Sequence, residues 1–216
     1  MDVGIVVGAF VLADVVAGRL GLPGPGSWAI LCALVVASWR LSAAGSRWSD
    51  LGLRMPKSSV GALGWVVMLY VATGLMKVLA VDPLAAAAGW PAMNLSRFAE
   101  LPGNAVVLAG YLALAWVSAA FAEELVLRGF LLTRLEALAG TGLAATVLAV
   151  VGQALLFGAG HWYLGMRGVT IAALAGLVYG TVYACNGRNL VPLVVAHGLT
   201  DSLSLIAIYA GFARIP

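Results

Sequence analysis

The stretch NAVVLAGYLALAWVSAAFAEELVLRGF, residues 104–130, decides the fold. It carries no charge before Glu123, then places Glu123, Glu124 and Arg128 within six residues. A hydrocarbon core is crossed by roughly 17 to 25 apolar residues in helical form, so 104–125 reads as a transmembrane helix with charges near one end. Comparable apolar runs lie at 3–20, 27–41, 60–81, 143–163, 169–185 and 190–209. The expectation is an all-α, polytopic transmembrane helix bundle of about seven spans, within six to eight. The run after Arg128, GFLLTRLEAL, either continues its helix or lies along the interface.

Composition supports this reading. With 62% hydrophobic and only 10% charged residues and a mean hydropathy of +1.02, the chain has too little polar surface for a soluble globule. Residues 3–20 have no basic region before them and no small-x-small site after them, so they read as a span and not a cleavable leader. No internal repeat or second domain appears, and 1–216 is taken as one integral-membrane domain. Cys32 and Cys185 fall in or beside apolar runs and offer neither a disulfide framework nor metal-ligand spacing. The net charge of +3 is dispersed over loops without aromatic interleaving, which argues against a nucleic-acid partner.

Counting loop cations groups Arg40, Arg47, Arg54, Lys57, Arg134 and Arg188 on one side and Arg19, Arg97, Arg167 and Arg214 on the other. This favours a cytoplasmic N-terminus. The connection 82–103, with Pro83, Pro91, Pro102 and Trp90, reads as an extracytoplasmic loop anchored at the interface. Trp48, Trp65 and Trp162 also read as interface anchors, Asp14 as a helix–helix hydrogen-bonding group, and Lys77 as a snorkelling side chain. The pairs Gly61 and Gly64, Gly158 and Gly160, and Gly176 and Gly180 read as close helix contacts; Gly158 and Gly160 could also leave room for substrate.

Charges inside a bilayer cost roughly 2.5 to 3.5 kcal/mol each on insertion scales, so a cluster of them implies mutual satisfaction or work. Three helices each supply a patch. In an α-helix residues four apart share a face, so Glu124 pairs with Arg128 while Glu123 turns elsewhere and stays free. His197 and Asp201 share a face, letting the carboxylate fix the imidazole tautomer, and Phe157 can wall off His161. A carboxylate without a nearby cation in a poorly solvated place is a competent general base for water. Glu123 fits this description, with His161 positioned to hold the same water and His197 to stabilise a tetrahedral oxyanion. H-E-x-x-H, G-x-G-D and G-x-S-x-G are all absent, which leaves zincin-like, aspartyl and serine-nucleophile sites unsupported. A proton- or cation-coupled transporter uses the same residue types, but the chain lacks a pair of similarly interrupted segments in two halves.

Taken together, E-E-x-x-x-R at 123–128, F-x-x-x-H ending in His161, and H-x-x-x-D from His197 to Asp201 resemble, in order and spacing, the CAAX prenyl protease and bacteriocin-processing (CPBP) family of intramembrane endopeptidases. The LGL of RWSDLGLRMPK, residues 47–57, is similar to a segment of that family, so the resemblance runs over about 48–205. It implies hydrolysis near the C-terminus of a membrane-anchored or lipid-modified protein, or in a small peptide, by a protein of the bilayer. By motif position Glu123 activates water, His161 helps hold it, His197 with Asp201 faces the oxyanion, and Glu124, Arg128 and Phe157 support the site. Members with a prenyl-protease role often carry Asn where Asp201 stands, and an ionised Asp cannot donate to an oxyanion. Asp201 therefore orients His197, is protonated, or ligates a metal.

Glu123, His161, His197 and Asp201 form an acceptable ligand set for a divalent metal such as zinc. No spacing demands one, so the metal-free glutamate mechanism is the leading expectation, with no cofactor required. A catalytically silent immunity or scaffold protein on the same fold is the remaining alternative. An Ala- and Gly-rich composition points to a GC-rich bacterial source and the inner membrane. Depth poses the hardest condition: at 1.5 Å per residue His161 and His197 differ by roughly 10 Å. Closing the site needs a tilted or broken helix, which the glycines at 158, 160, 165 and 168 allow.

Overall fold

A computed structural model describes residues 2–212; Arg214, one of the cations grouped above, lies outside the described residues. Seven helical columns form an all-α bundle: α1 (Asp2–Arg19), α2 (Pro25–Ala43), α3 (Ser59–Ala87), α4 (Ala105–Ala139), α5 (Leu143–Gly160), α6 (Gly165–Cys185) and α7 (Val191–Tyr209). Six of them, α2 to α7, are long and apolar enough to cross a membrane. The first column has 18 residues but carries Asp2, Asp14 and Arg19; it packs along α2 and buries Val6 and Ala17. The chain is an integral membrane protein.

Helix starts follow local chemistry. Ser58 accepts from the Gly61 amide at 3.1 Å and Asn104 from the Val107 amide at 3.2 Å, satisfying amides that open a helix without partners. Pro25 and Pro192 occupy first turns, where a missing N–H costs nothing.

The central column is α4. It runs unbroken through GFLLTRLEAL to Ala139, and from Ala115 to Leu131 it is wound as a π-helix. Such winding is rare beyond a single turn and recurs at functional sites. Every residue from Glu124 to Leu132 is buried, because α2 and α7 pack on this column along with neighbours from the rest of the bundle.

The LGL stretch has a structural purpose. Gly52, at φ +96°, brings its backbone so close to the α6–α7 connection that a Cβ would stand 1.8 Å from the Arg188 carbonyl oxygen. The Gly52 carbonyl accepts from the Leu190 amide at 3.0 Å, the Leu51 carbonyl from the Tyr183 hydroxyl at 2.8 Å, and Arg54 donates to the Gly187 carbonyl at 2.7 Å. Trp48 is half-buried and donates to Ser38 at 3.0 Å, so it pins this loop to α2 as well as lying near the interface.

Several local expectations change. The third span does not stop at residue 81: a π turn at Lys77–Val81 leads into further helix to Ala87. Asp82 therefore belongs to the helix and not to the following loop, satisfied by Lys77 at 2.9 Å and by Arg167 of α6. Lys77 is held in that pair instead of extending freely. Asp14 has no hydrogen-bond partner among the described residues, and a Cβ on Gly64 would meet nothing within 4 Å, so that glycine marks no close helix contact.

The cation grouping matches the architecture. Arg40 and Arg134 both reach Asp2, and Arg188 pairs with Glu136 at 2.7 Å, at the end where the LGL loop docks. Arg167 lies at the opposite end with Asp82.

Candidate active site

The predicted polar residues converge on the ring of His197 in α7. Its Nδ1 lies 2.8 Å from Glu124 Oε1, and its Nε2 faces Glu123 Oε2 at 3.9 Å and Asp201 Oδ2 at 3.6 Å. A carboxylate accepts only, so the Nδ1 proton is donated to Glu124. This corrects the expected division of labour: Glu124, not Asp201, accepts the His197 Nδ1 proton and fixes the orientation of the ring. Because α7 packs directly against the π-wound part of α4, an oxygen from a neighbouring helix reaches Nδ1, while the residue one turn along α7 is left beside Nε2.

Glu124 also pairs with Arg128 at 3.0 Å, both side chains wholly buried. The guanidinium lies over the ring of Phe157 at 4.5 Å and that of Tyr179 at 5.3 Å. Aromatic faces replace part of the water a buried cation loses. Side-chain exposure rises from 0% at Glu124 and Arg128 to 13% at His197, 19% at Glu123 and 33% at Asp201. The supporting pair is thus sealed in, whereas Glu123 and Asp201 face outward. Glu123 Oε2 is itself buried and has no hydrogen-bond partner, which agrees with a carboxylate left free of Arg128.

His161 joins this group through aromatic contacts. Its ring packs edge-on to Phe157, with centroids 4.6 Å apart, and Phe157 in turn is 6.2 Å from His197. The Nδ1 of His161 lies 2.8 Å from the Phe157 carbonyl; a carbonyl only accepts, so the proton resides on Nδ1 and the neutral ring offers Nε2 as an acceptor.

The depth mismatch is resolved by stagger and by a break. The short α6–α7 connection sets Tyr179 beside His197, centroids 5.7 Å apart, and tight α5–α6 packing sets Gln153 beside Gly180. His197 is therefore level with the turn around Gln153 and Phe157, about one helical turn from His161. At His161 the helix ends, and a 3-10 turn, Trp162–Leu164, follows.

Four residues escape a reading of the sequence alone. Tyr179 walls both His197 and Arg128. A Cβ on Gly198 would stand 2.7 Å from the ring of Trp116, which donates to Ser202 at 3.2 Å. Gln153, fully buried, donates to the carbonyls of Val150 and Gly176. Only Gly198 had a signal, as a glycine directly after the histidine. Among the described residues no group of three or more His, Cys, Asp or Glu side chains is arranged to hold a metal ion.

The fold and this cluster define an integral membrane protein with a polar site built between its helices. Residues 105–203 match the family described as type II CAAX prenyl endopeptidase Rce1-like. The match begins at the first residue of α4 and contains every site residue named above; the LGL loop precedes it. No curated protein and no solved structure gives a match.

Proposed function

We propose that the protein is a metal-free glutamate-type endopeptidase of the bacterial inner membrane, N-terminus in the cytoplasm. Its substrate is the C-terminal region of a membrane-anchored or lipid-modified protein, or a small peptide. The observation that carries the proposal is the buried Glu123 oxygen without a hydrogen-bond partner, 3.9 Å from a histidine whose other nitrogen is locked by Glu124. A separation of that size suits one bridging water.

In the proposed step Glu123 takes a proton from that water, and the oxygen attacks the scissile carbonyl carbon. His161 Nε2 accepts the water's second hydrogen bond and orients it. The carbonyl oxygen gains the negative charge opposite His197, whose ring, protonated on both nitrogens, donates from Nε2; the nearby carboxylates of Glu124 and Asp201 supply counter-charge to the ring, Glu123 being protonated at this stage. Glu123 then gives its proton to the departing amine as the C–N bond breaks. Asp201, the most exposed of the three acids, holds the Nε2 side of the ring, and Arg128 and Phe157 keep Glu124 and His161 in place.

Purified protein in detergent, given candidate C-terminal peptides with and without a chelator, tests this reading. Glu123→Gln is expected to lower kcat by about 100-fold or more, the range of general-base contributions, while the chelator leaves turnover unchanged. Undiminished cleavage by Glu123→Gln rules out Glu123 as base, and loss of activity on chelation assigns the chemistry to a metal held by Glu123, His161, His197 and Asp201.

A further inference from the structure

The end of the bundle away from the LGL loop carries a second polar cluster, outside the candidate active site. Asp82, in the part of α3 that follows its π turn, is held by Lys77 at 2.9 Å and by Arg167 of α6. One carboxylate thus serves two cations and leaves a positive charge unbalanced. Both carboxylate oxygens are taken, one by each partner, whereas the remaining ammonium protons of Lys77 and guanidinium N–H groups of Arg167 have no acceptor among the described residues. The Lys77 side chain is 43% exposed. Lys77 lies about 27 Å along α3 from Ser59, and Arg167 about 27 Å along α6 from Cys185, at 1.5 Å per residue. Ser59 and Cys185 both adjoin the LGL loop or the connection docked on it, so the two cations share a level, close to the far boundary of a hydrocarbon core roughly 30 Å thick. Trp162, exposed in the turn just before α6, marks the same boundary as interfacial aromatics do. Beside the cluster Leu75, Val78 and Leu79 of α3 and Met166 of α6 are exposed.

We propose that Lys77 and Arg167 form a binding site for the phosphate of an anionic phospholipid, in the leaflet opposite the LGL loop. A phosphodiester carries one negative charge and acceptor oxygens, so it meets the donors that Asp82 leaves over and balances the surplus charge. The guanidinium fork matches two of those oxygens, and the ammonium adds a point charge. Asp82 holds the two cations together before the lipid arrives, which lowers the ordering cost of binding. The acyl chains lie along the exposed apolar side chains of α3. A zwitterionic headgroup brings its own cation against the cluster and is disfavoured, and free phosphate offers the same oxygens without the chains.

Native mass spectrometry of the full chain, with phosphatidylglycerol and phosphatidylcholine of matched acyl chains offered in equal amounts, tests the site. The unsubstituted protein is expected to retain phosphatidylglycerol over phosphatidylcholine by about five-fold or more, the weight of one basic side chain beside an anionic lipid surface. Lys77→Gln leaves the Asp82–Arg167 pair intact and should remove most of that preference, as should Arg167→Gln. Asp82→Asn breaks both ion pairs but keeps both cations, and should raise it, a sign opposite to that of general damage. Inorganic phosphate, offered in place of lipid, is expected to bind at least about ten-fold more weakly, because it buries no hydrocarbon. Equal retention of the two lipids, an unchanged preference in Lys77→Gln, a lower one in folded Asp82→Asn protein, or phosphate binding as tight as the lipid's overturns the proposal. So does a fall of the same size with Arg40→Gln, which takes one cation from the Asp2 cluster at the other end and would show a response to total charge alone.

Discussion

The two ends of the bundle around His197 are built differently. Toward the LGL loop the packing leaves no slack: Gly52 touches the Arg188 carbonyl, a Cβ on Gly129 would meet Leu190 at 3.2 Å and Trp48 at 3.5 Å, and Glu124 and Arg128 are sealed from solvent. Toward the His161 turn, a Cβ on Gly160 or Gly165 would meet nothing within 4 Å, Trp162 is 68% exposed, and single hydrogen bonds and aromatic stacks hold the segment. The sealed charges lie at the first end, and the more accessible groups lie at the second. Rigid support beneath an accessible layer is what a site needs when geometry within tenths of an ångström sets the rate.

Substitutions at the two ends should differ accordingly. The largest effect is expected for Arg128→Ala, which removes the guanidinium from a wholly buried ion pair; removing one partner of such a pair costs about 3–5 kcal/mol. Unfolding followed in mixed micelles checks this, and a change below about 1 kcal/mol would show that the sealed end tolerates a broken pair after all.

Next comes Gly198→Ala, whose methyl would stand 2.7 Å from the Trp116 ring. Overpacking of this kind costs about 1–3 kcal/mol. Combining it with Trp116→Leu should recover part of the loss, and a double-mutant cycle measures the coupling. Simple additivity would mean that the two side chains do not oppose each other.

The finest contrast lies within one helix. Gly158→Ala would place a methyl 2.7 Å from the Ala173 Cβ, whereas Gly160→Ala, two residues on, meets nothing. The first should destabilise by about 1 kcal/mol or more; the second should stay within about 1 kcal/mol of the parent, on the stabilising side, because alanine loses less backbone entropy than glycine. Equal effects would erase the boundary between packed and open regions, which this pair places between Gly158 and Gly160.

Much of this plan was legible in the chain. Apolar run length located all seven columns and most of their ends, but stopped short of the ends of α3 and α4, which run on to Ala87 and Ala139; the requirement to satisfy every backbone group in lipid leaves helix as the only option for such segments. The i, i+4 spacing correctly paired Glu124 with Arg128 and left Glu123 without an arginine partner. The same rule misassigned the partner of His197 Nδ1, because spacing within α7 says nothing about which atom a neighbouring helix delivers. Lys77 and Asp82 failed likewise: five residues apart, they do not share an α-helical face, and a π turn brings them together.

The sequence by itself determined membrane residence, helical form and which polar side chains the helices carry in their apolar runs, all of which depend on composition and local periodicity. Only the tertiary structure decided that Glu124 locks His197, that Phe157 and Tyr179 enclose Arg128, and that the single ring of Tyr163 separates Arg97 from His161. Those relations depend on helix stagger, and stagger is set by contacts between residues far apart in the chain, such as Gly180 with Gln153 and Gly52 with Arg188.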